Sequence, residues 1–273
     1  MMIEKTTAPH LTANYHTHTT RCRHASGSDR EYIETAIRAG IKILGFADHA
    51  PLVNDIGFVS HMRMYTELAE DYACTLAALK KEYAGDIDIY IGYELEYYPQ
   101  FFDMTVEYLC RFPVDYFIIG QHYIENETSY RHAGIKVAEE WYLRAYVDQI
   151  VAGLETGLFS CVAHPDLMDF MGADDVYDRH MTRLCETAKR LSVPLEFNIP
   201  RRFAFWHEPV MHFWDIARAV GNDVILGCDA HEPGMLCEAD SYRESLEILA
   251  GHGIVPMETM PLAKPHFPYR THP

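Results

Sequence analysis

The chain has 273 residues, of which 48% are hydrophobic, and carries 40 acidic against 23 basic side chains for a formal charge of −17. That length suits one α/β barrel or two ordinary domains with a large core, and the acidic balance argues against a nucleic-acid backbone as partner, since phosphates are held by Lys and Arg. No run of about 18 apolar residues marks a membrane span, and the first fifteen residues, MMIEKTTAPHLTANY, lack the apolar stretch of a signal peptide, so a cytoplasmic location is expected. The seven cysteines are odd in number and scattered, with no CxxC pair, which argues against a disulfide framework and against a thiolate zinc site; most read as small buried hydrophobes.

Short β-rich runs alternate with helical patterns along the chain. Strands are predicted at 12–18 (TANYHTH), 42–49 (KILGFADH), 87–96 (IDIYIGYELE), 115–122 (DYFIIGQH), 159–165 (FSCVAHP), 194–198 (PLEFN) and 223–231 (DVILGCDAH). Helices are predicted between them at 29–40, 61–85, 137–157, 178–191, 209–221 and 240–253. Strand–helix alternation implies βαβ units and a parallel sheet, and the near-continuous apolar strands fit a sheet covered on both faces. The reading is a distorted (β/α)7 barrel in a single domain, 1–273, with the barrel at about 12–253 and an irregular C-terminal tail at 254–273.

The first strand runs into NYHTHTTRCRHA (14–25), which crowds His16, His18 and His24 together. Residues two apart share a face of a strand, so His16 and His18 either chelate one ion or face solvent together. The other strands decide between these. Asp48 and His49 close the second, Glu94 and Glu96 the third, His122 the fourth, His164 the fifth, and Asp229 and His231 the seventh. Ordinary strand ends are turn residues such as Gly, Asn or Pro. In an α/β barrel the carboxyl ends of the strands converge on the active site, so these side chains are expected to meet in one metal-binding pocket.

The ordered set HTH, RCRHA, ADHAP, GYELE, GQH, AHPD and GCDAH resembles the PHP (polymerase and histidinol phosphatase) superfamily, and most closely its stand-alone histidinol-phosphate phosphatases. The resemblance runs from about residue 14 to about 250. It implies a distorted seven-stranded barrel and a trinuclear centre of Zn, Mn or Fe. On that resemblance His16, His18, Glu94 and Asp229 hold the first ion; His24, His49 and His231 hold the second; and His122 and His164 hold the third, with Glu94 bridging to the first. Seven imidazoles and two carboxylates also suit borderline ions on chemical grounds, whereas Mg and Ca prefer all-oxygen sites. Cys22 reads as a neighbour of the centre, Asp48 as a carboxylate that orients an imidazole, and Glu96 either as a support of the site or as the partner of a nearby Arg.

Closely spaced divalent ions favour phosphate-ester hydrolysis. The expected reaction is attack of a metal-bridging hydroxide on phosphorus, with the leaving alkoxide protonated by a nearby acid; Asp229 and His231 are the catalytic candidates. An arginine fork matches two phosphate oxygens. Arg201 and Arg202, after EFN, fall near the position where the resembling phosphatases carry an Arg, and Arg23 lies in the first loop. Arg21 is a further candidate, and Arg63 reads as a solvated surface charge. The substrate expected is a small phosphate ester, with L-histidinol phosphate the single best choice. The alternatives are another small ester (nucleotide, sugar phosphate or phosphodiester), a non-catalytic metal-binding module, and an amidohydrolase-like deacylase or deaminase, the last disfavoured by the lack of a strand-ending Lys.

Overall fold

In a computed structural model of the chain, which describes residues 10–199 and 210–269, seven parallel strands lie side by side in chain order. They are β1 (Ala13–Asn14), β2 (Ile43–His49), β3 (Asp88–Leu95), β4 (Tyr116–Ile119), β5 (Phe159–Val162), β6 (Leu195–Asn198) and β7 (Val224–Gly227). The helices between them are α1 (Asp29–Ala39), α2 (Ala69–Glu82), α3 (Phe102–Leu109), α4 (Glu140–Leu154), α5 (Asp174–Arg190) and α6 (Met211–Val220), and α7 (Ala239–Gly251) follows β7. The seam between β1 and β7 is closed just past the strands: His18 N donates to Ala230 O at 2.9 Å and Ala230 N to His16 O at 3.1 Å. Asn14 spans the same seam, accepting from Cys228 N through Oδ1 at 2.9 Å and donating to His16 O and Thr17 Oγ1 through Nδ2. The result is a nearly closed, distorted (β/α)7 barrel.

A large apolar layer lies between the sheet and the helices, and a smaller one fills the lower barrel around Tyr15, Tyr116, Ile118, Cys161, Ile225 and Met260. Tyr116 lies across the barrel interior, where Gly45 and Gly92 leave room for its ring, and its hydroxyl donates to Tyr15 O at 2.6 Å. The tail closes that same end. Met257 N donates to Val224 O at 2.8 Å and Ala263 N to Ser160 Oγ at 2.9 Å. The carboxyl ends of the strands, at the other end, are left open.

Three differences from the sequence reading concern element limits. Most strands are shorter than predicted: β1 stops at Asn14, β4 at Ile119, β5 at Val162 and β7 at Gly227. Helix α2 begins at Ala69, eight residues late, because the segment before it is tied inward through Arg63 (below). Helix α3 was not predicted; it has no side-chain N-cap bond, so the usual start signal is missing. By contrast α1 carries its signals in full, with a Ser28–Glu31 capping box and Gly40 in the left-handed region as C-cap. Among the described residues, none of the seven cysteines forms a disulfide.

Candidate metal centre

Only His49 and Glu94 of the nine predicted ligands sit within strands. The other seven lie on the loops just beyond the strand ends. Two of these loops turn through left-handed backbone at the ligand itself, His164 at φ 31° and Asp229 at φ 43°. Residues of that conformation are rare outside turns and mark functional sites where the surroundings hold them. The structure nevertheless brings all nine side chains to one place at the carboxyl ends of the strands. The cluster grades from buried to open: His16, His18, His49, Glu94 and His164 are buried, His122, Asp229 and His231 are half-buried, and His24 is exposed.

His16 Nε2, His18 Nε2, Glu94 Oε2 and Asp229 Oδ1 form a compact set. The two imidazole nitrogens are 3.1 Å apart. Asp229 Oδ1 is 3.5 Å from His16 and 3.0 Å from His18, and Glu94 Oε2 is 3.7 Å from each. A tetrahedral ion with bonds of about 2.0–2.1 Å spaces its ligand atoms by roughly 3.3–3.4 Å, so these separations fit one cation. The other oxygen of Glu94 faces the opposite way, 2.8 Å from His164 Nε2 and 3.6 Å from His122 Nε2. Glu94 therefore addresses two sets of imidazoles with one carboxylate. In the third set, His24 Nε2 and His231 Nε2 lie 3.0 Å apart, and the His49 ring centre is 5.2 Å from that of His24.

The outer nitrogens explain why these separations call for cations. His16 Nδ1 lies 2.9 Å from Glu196 Oε1, His18 Nδ1 3.4 Å from Asp48 Oδ1, His122 Nδ1 3.1 Å from Glu96 Oε1, His24 Nδ1 2.9 Å from Cys22 O and His231 Nδ1 3.0 Å from Asp229 O. Each partner is an acceptor, which fixes the proton on Nδ1 and leaves the Nε2 lone pair facing inward. Lone pairs about 3 Å apart repel unless a cation sits between them. Glu94 Oε2, His49 Nδ1 and His164 Nδ1 lack a hydrogen bond among the described residues, the first two although they are 2.9 Å apart. Burial opposes charge on His16, yet Glu196, Asp229 and Glu94 together override it and raise its pKa to about 10. Without a metal the carboxylates favour the protonated form at His16, His18 and His164. The donor set thus fits divalent cations.

Glu196 was not predicted as part of the site. It sits in β6 between Leu195 and Phe197, and its Oε2 also accepts from His164 N at 3.1 Å. A lone acid between two apolar strand residues was the available signal. His132 was missed as well. It lies opposite Tyr123 in a short antiparallel pairing, its ring centre 6.2 Å from that of His122. Gly134 N donates to its Nδ1 at 3.0 Å, so the proton is on Nε2. Burial, and then the charge of His122, lowers its pKa to about 4, and it stays neutral. Asp48 accepts from Thr19 as well as facing His18, and Cys22 donates its thiol to Thr19 O at 3.1 Å beside the centre.

The arginines are placed differently from one another. Arg63 corrects the sequence reading: it is 2% exposed, and its guanidinium pairs with Glu96 and with Glu127, the latter at 2.8 Å. A surface charge would not find two buried carboxylates. Arg21 pairs with Asp29 and Asp71. Arg23 is exposed and lies over Tyr65, with bonds to Ser60 O, Arg63 O and the Tyr65 hydroxyl. Arg201 and Arg202 lie outside the described residues, as do Phe203, Phe205, Trp206 and His207. Tyr98, Phe101 and Phe102 are buried in the protein core, and His212 pairs with Asp178, away from the centre.

A parallel seven-stranded barrel with a histidine–carboxylate cluster at the carboxyl ends of its strands defines a barrel metalloprotein. More particularly, residues 14–199 match the PHP domain, and the chain belongs to that family. It is 31% identical over 232 residues to a Deinococcus radiodurans protein described as "Probable histidinol-phosphatase", covering 80% of this chain and 86% of that one. It is 26% identical over 249 residues to the histidinol-phosphatase of Bacillus subtilis, covering 80% and 93%. The fold matches that of histidinol phosphate phosphatase from Lactococcus lactis, crystallised with Zn, L-histidinol and phosphate, at a TM-score of 0.68 and 16% identity over 93% of this chain and all of that one. Among the described residues, no helix is long and apolar enough to cross a membrane.

Proposed function

We propose that this PHP-family phosphatase hydrolyses L-histidinol phosphate to L-histidinol and phosphate at a centre of three divalent cations, zinc, manganese or iron. The observation that carries the reading is the inward convergence of imidazole lone pairs and carboxylate oxygens, at separations that fit ligands of common ions. His16, His18, Glu94 and Asp229 would hold one cation, His24, His49 and His231 another, and His122 and His164 a third with the second oxygen of Glu94. The named phosphatases of similar sequence supply the substrate. Bound there, the cations would acidify water and take up charge on the phosphoryl oxygens.

The chain's own residues then have defined tasks. Glu196, Asp48 and Glu96 hold His16, His18 and His122 with their lone pairs inward. Arg201, Arg202 and Arg23 are the candidates for the phosphate, and His132 offers a neutral N–H donor beside His122. Water oxygen joins phosphorus as the bond from phosphorus to the ester oxygen breaks, and a proton passes to the departing alkoxide. Asp229 and His231, on the open side of the cluster, are the candidates to supply it.

A panel of phosphorylated metabolites assayed with zinc-, manganese- or iron-loaded enzyme tests the reading. Histidinol phosphate is expected to be the preferred substrate, and His16→Ala, His18→Ala and His164→Ala to abolish its turnover. If it is hydrolysed no faster than a generic aryl phosphate, the substrate assignment fails. If those variants keep wild-type rates, the metal assignment fails.

A further inference from the structure

Beyond the nine converging residues, a buried charge cluster is built around Arg63. It reaches in from the loop after β2, and its guanidinium bonds Glu96, which follows β3, and Glu127, in the loop after β4. Ser60, on the loop of Arg63, donates to the second oxygen of Glu127 at 2.6 Å. Glu96 is fully engaged. Its Oε1 takes Arg63 and His122 Nδ1, and its Oε2 takes the Tyr98 hydroxyl and Tyr123 N. Every member is buried except the backbone donor at Tyr123 and His122, which faces the cleft.

A carboxylate has about four acceptor positions, and here three of the four are filled by groups other than the histidine. The plane of Glu96 is thereby fixed before His122 meets it. We propose that Arg63 is a positioning residue for the cation held by His122 and His164, acting through Glu96. A guanidinium suits the task because its planar fork reaches two carboxylates at once. A single ammonium cannot reproduce that span. The same contacts pin the two rim loops, after β2 and after β4, against the third strand, so the cleft wall and the histidine are held by one group. The inference rests on the trinuclear reading above.

The test is metal stoichiometry and affinity, with activity second. Wild type saturated with zinc and then dialysed is expected to retain three ions per chain by emission spectroscopy. Arg63→Gln is expected to retain two, and to recover the third only at roughly 10–100-fold higher free metal, the range typical for loss of a group that orients a ligand. Arg63→Lys is expected to fall between. Glu127→Gln breaks the loop tether but leaves the Arg63–Glu96 pair, so it is expected to lower the melting temperature while keeping three ions. Should Arg63→Gln unfold, the comparison of Arg63→Lys with Glu127→Gln carries the test. Three ions of unchanged affinity in the folded Arg63 variants overturn the inference, as does equal loss of the third ion in Glu127→Gln. Fewer than three ions in saturated wild type overturn the trinuclear reading instead, and this inference with it.

Discussion

His16 shows how much one imidazole depends on what stands behind it. Its Nδ1 is held between the two oxygens of Glu196 at 2.9 and 3.0 Å. Glu196→Gln keeps the shape but offers one acceptor in place of two and turns an NH2 toward an N–H. We expect the variant to fold and to lose roughly 10–100-fold in zinc affinity and in kcat/KM; zinc titration alongside steady-state kinetics checks this, and unchanged affinity would remove Glu196 from the centre. The nine converging side chains were legible because His, Asp and Glu, all able to bind metal, recur at or just past one strand end after another. Glu196 was not, because PLEFN reads as a strand ending in Asn, and a single acid between Leu and Phe does not say which face is inward. Arg63 was not, because its segment was read as the start of a helix at 61–85 and is instead a rim loop; a long charged side chain reads as solvated until the fold shows two carboxylates waiting for it.

At the scale of the element, strand order was legible and strand length was not. Alternating apolar runs and amphipathic helices fix a parallel βα succession. The ligand-bearing ends looked like strand because His, Asp and their neighbours continue the extended pattern, yet the chain leaves the sheet at left-handed bends such as His164 and Asp229. The glycines of GQH and GCD show what the strand ends are built around. A Cβ on Gly120 would fall 1.9 Å from Glu94 Oε1, and one on Gly227 1.9 Å from Glu196 Oε1. Each key carboxylate thus occupies the space above a glycine of the next strand segment. Gly120→Ala is therefore expected to push Glu94 from between its two sets of imidazoles, with loss of bound metal and a cost of about 1–3 kcal/mol from overpacking. Gly85, which has open space around its Cβ position, gives the control: Gly85→Ala should leave metal content unchanged. Metal analysis and thermal melts of the two variants distinguish a crowded carboxylate from a general intolerance of alanine; equal metal retention in both would count against the account.

For the whole molecule, the centre and the barrel seam are one problem. Among the described residues, the seam between β1 and β7 is closed by few backbone bonds, at His16, His18 and Ala230 and, further along, from Ser26 N to His231 O. Across it, His18 faces Asp229 at 3.0 Å and His24 faces His231 at 3.0 Å. Cations on these ligands would join the first and last segments of the barrel. Anything that binds only the folded state stabilises it, by about 2.7 kcal/mol at a hundredfold excess over Kd, which for a chain of this size is roughly 5 °C of melting temperature per site. Chelation is thus expected to lower the melting temperature by at least that much. Increased amide exchange should concentrate at residues 14–24 and 228–231. The pH dependence has a definite sign. Without cations, His16 has a pKa of about 10 against an ordinary 6.5, so the stability from its bound proton is complete below 6.5 and is lost as pH rises toward 10. With cations bound, that proton is already displaced, and metal binding strengthens as proton competition falls. The gap in melting temperature between loaded and chelated protein should therefore widen from pH 6.5 to 8.5. Calorimetry at both pH values measures it directly: a gap that stays constant or narrows would mean that protons and cations do not compete for these imidazoles, and that the cluster is not where the metal binds.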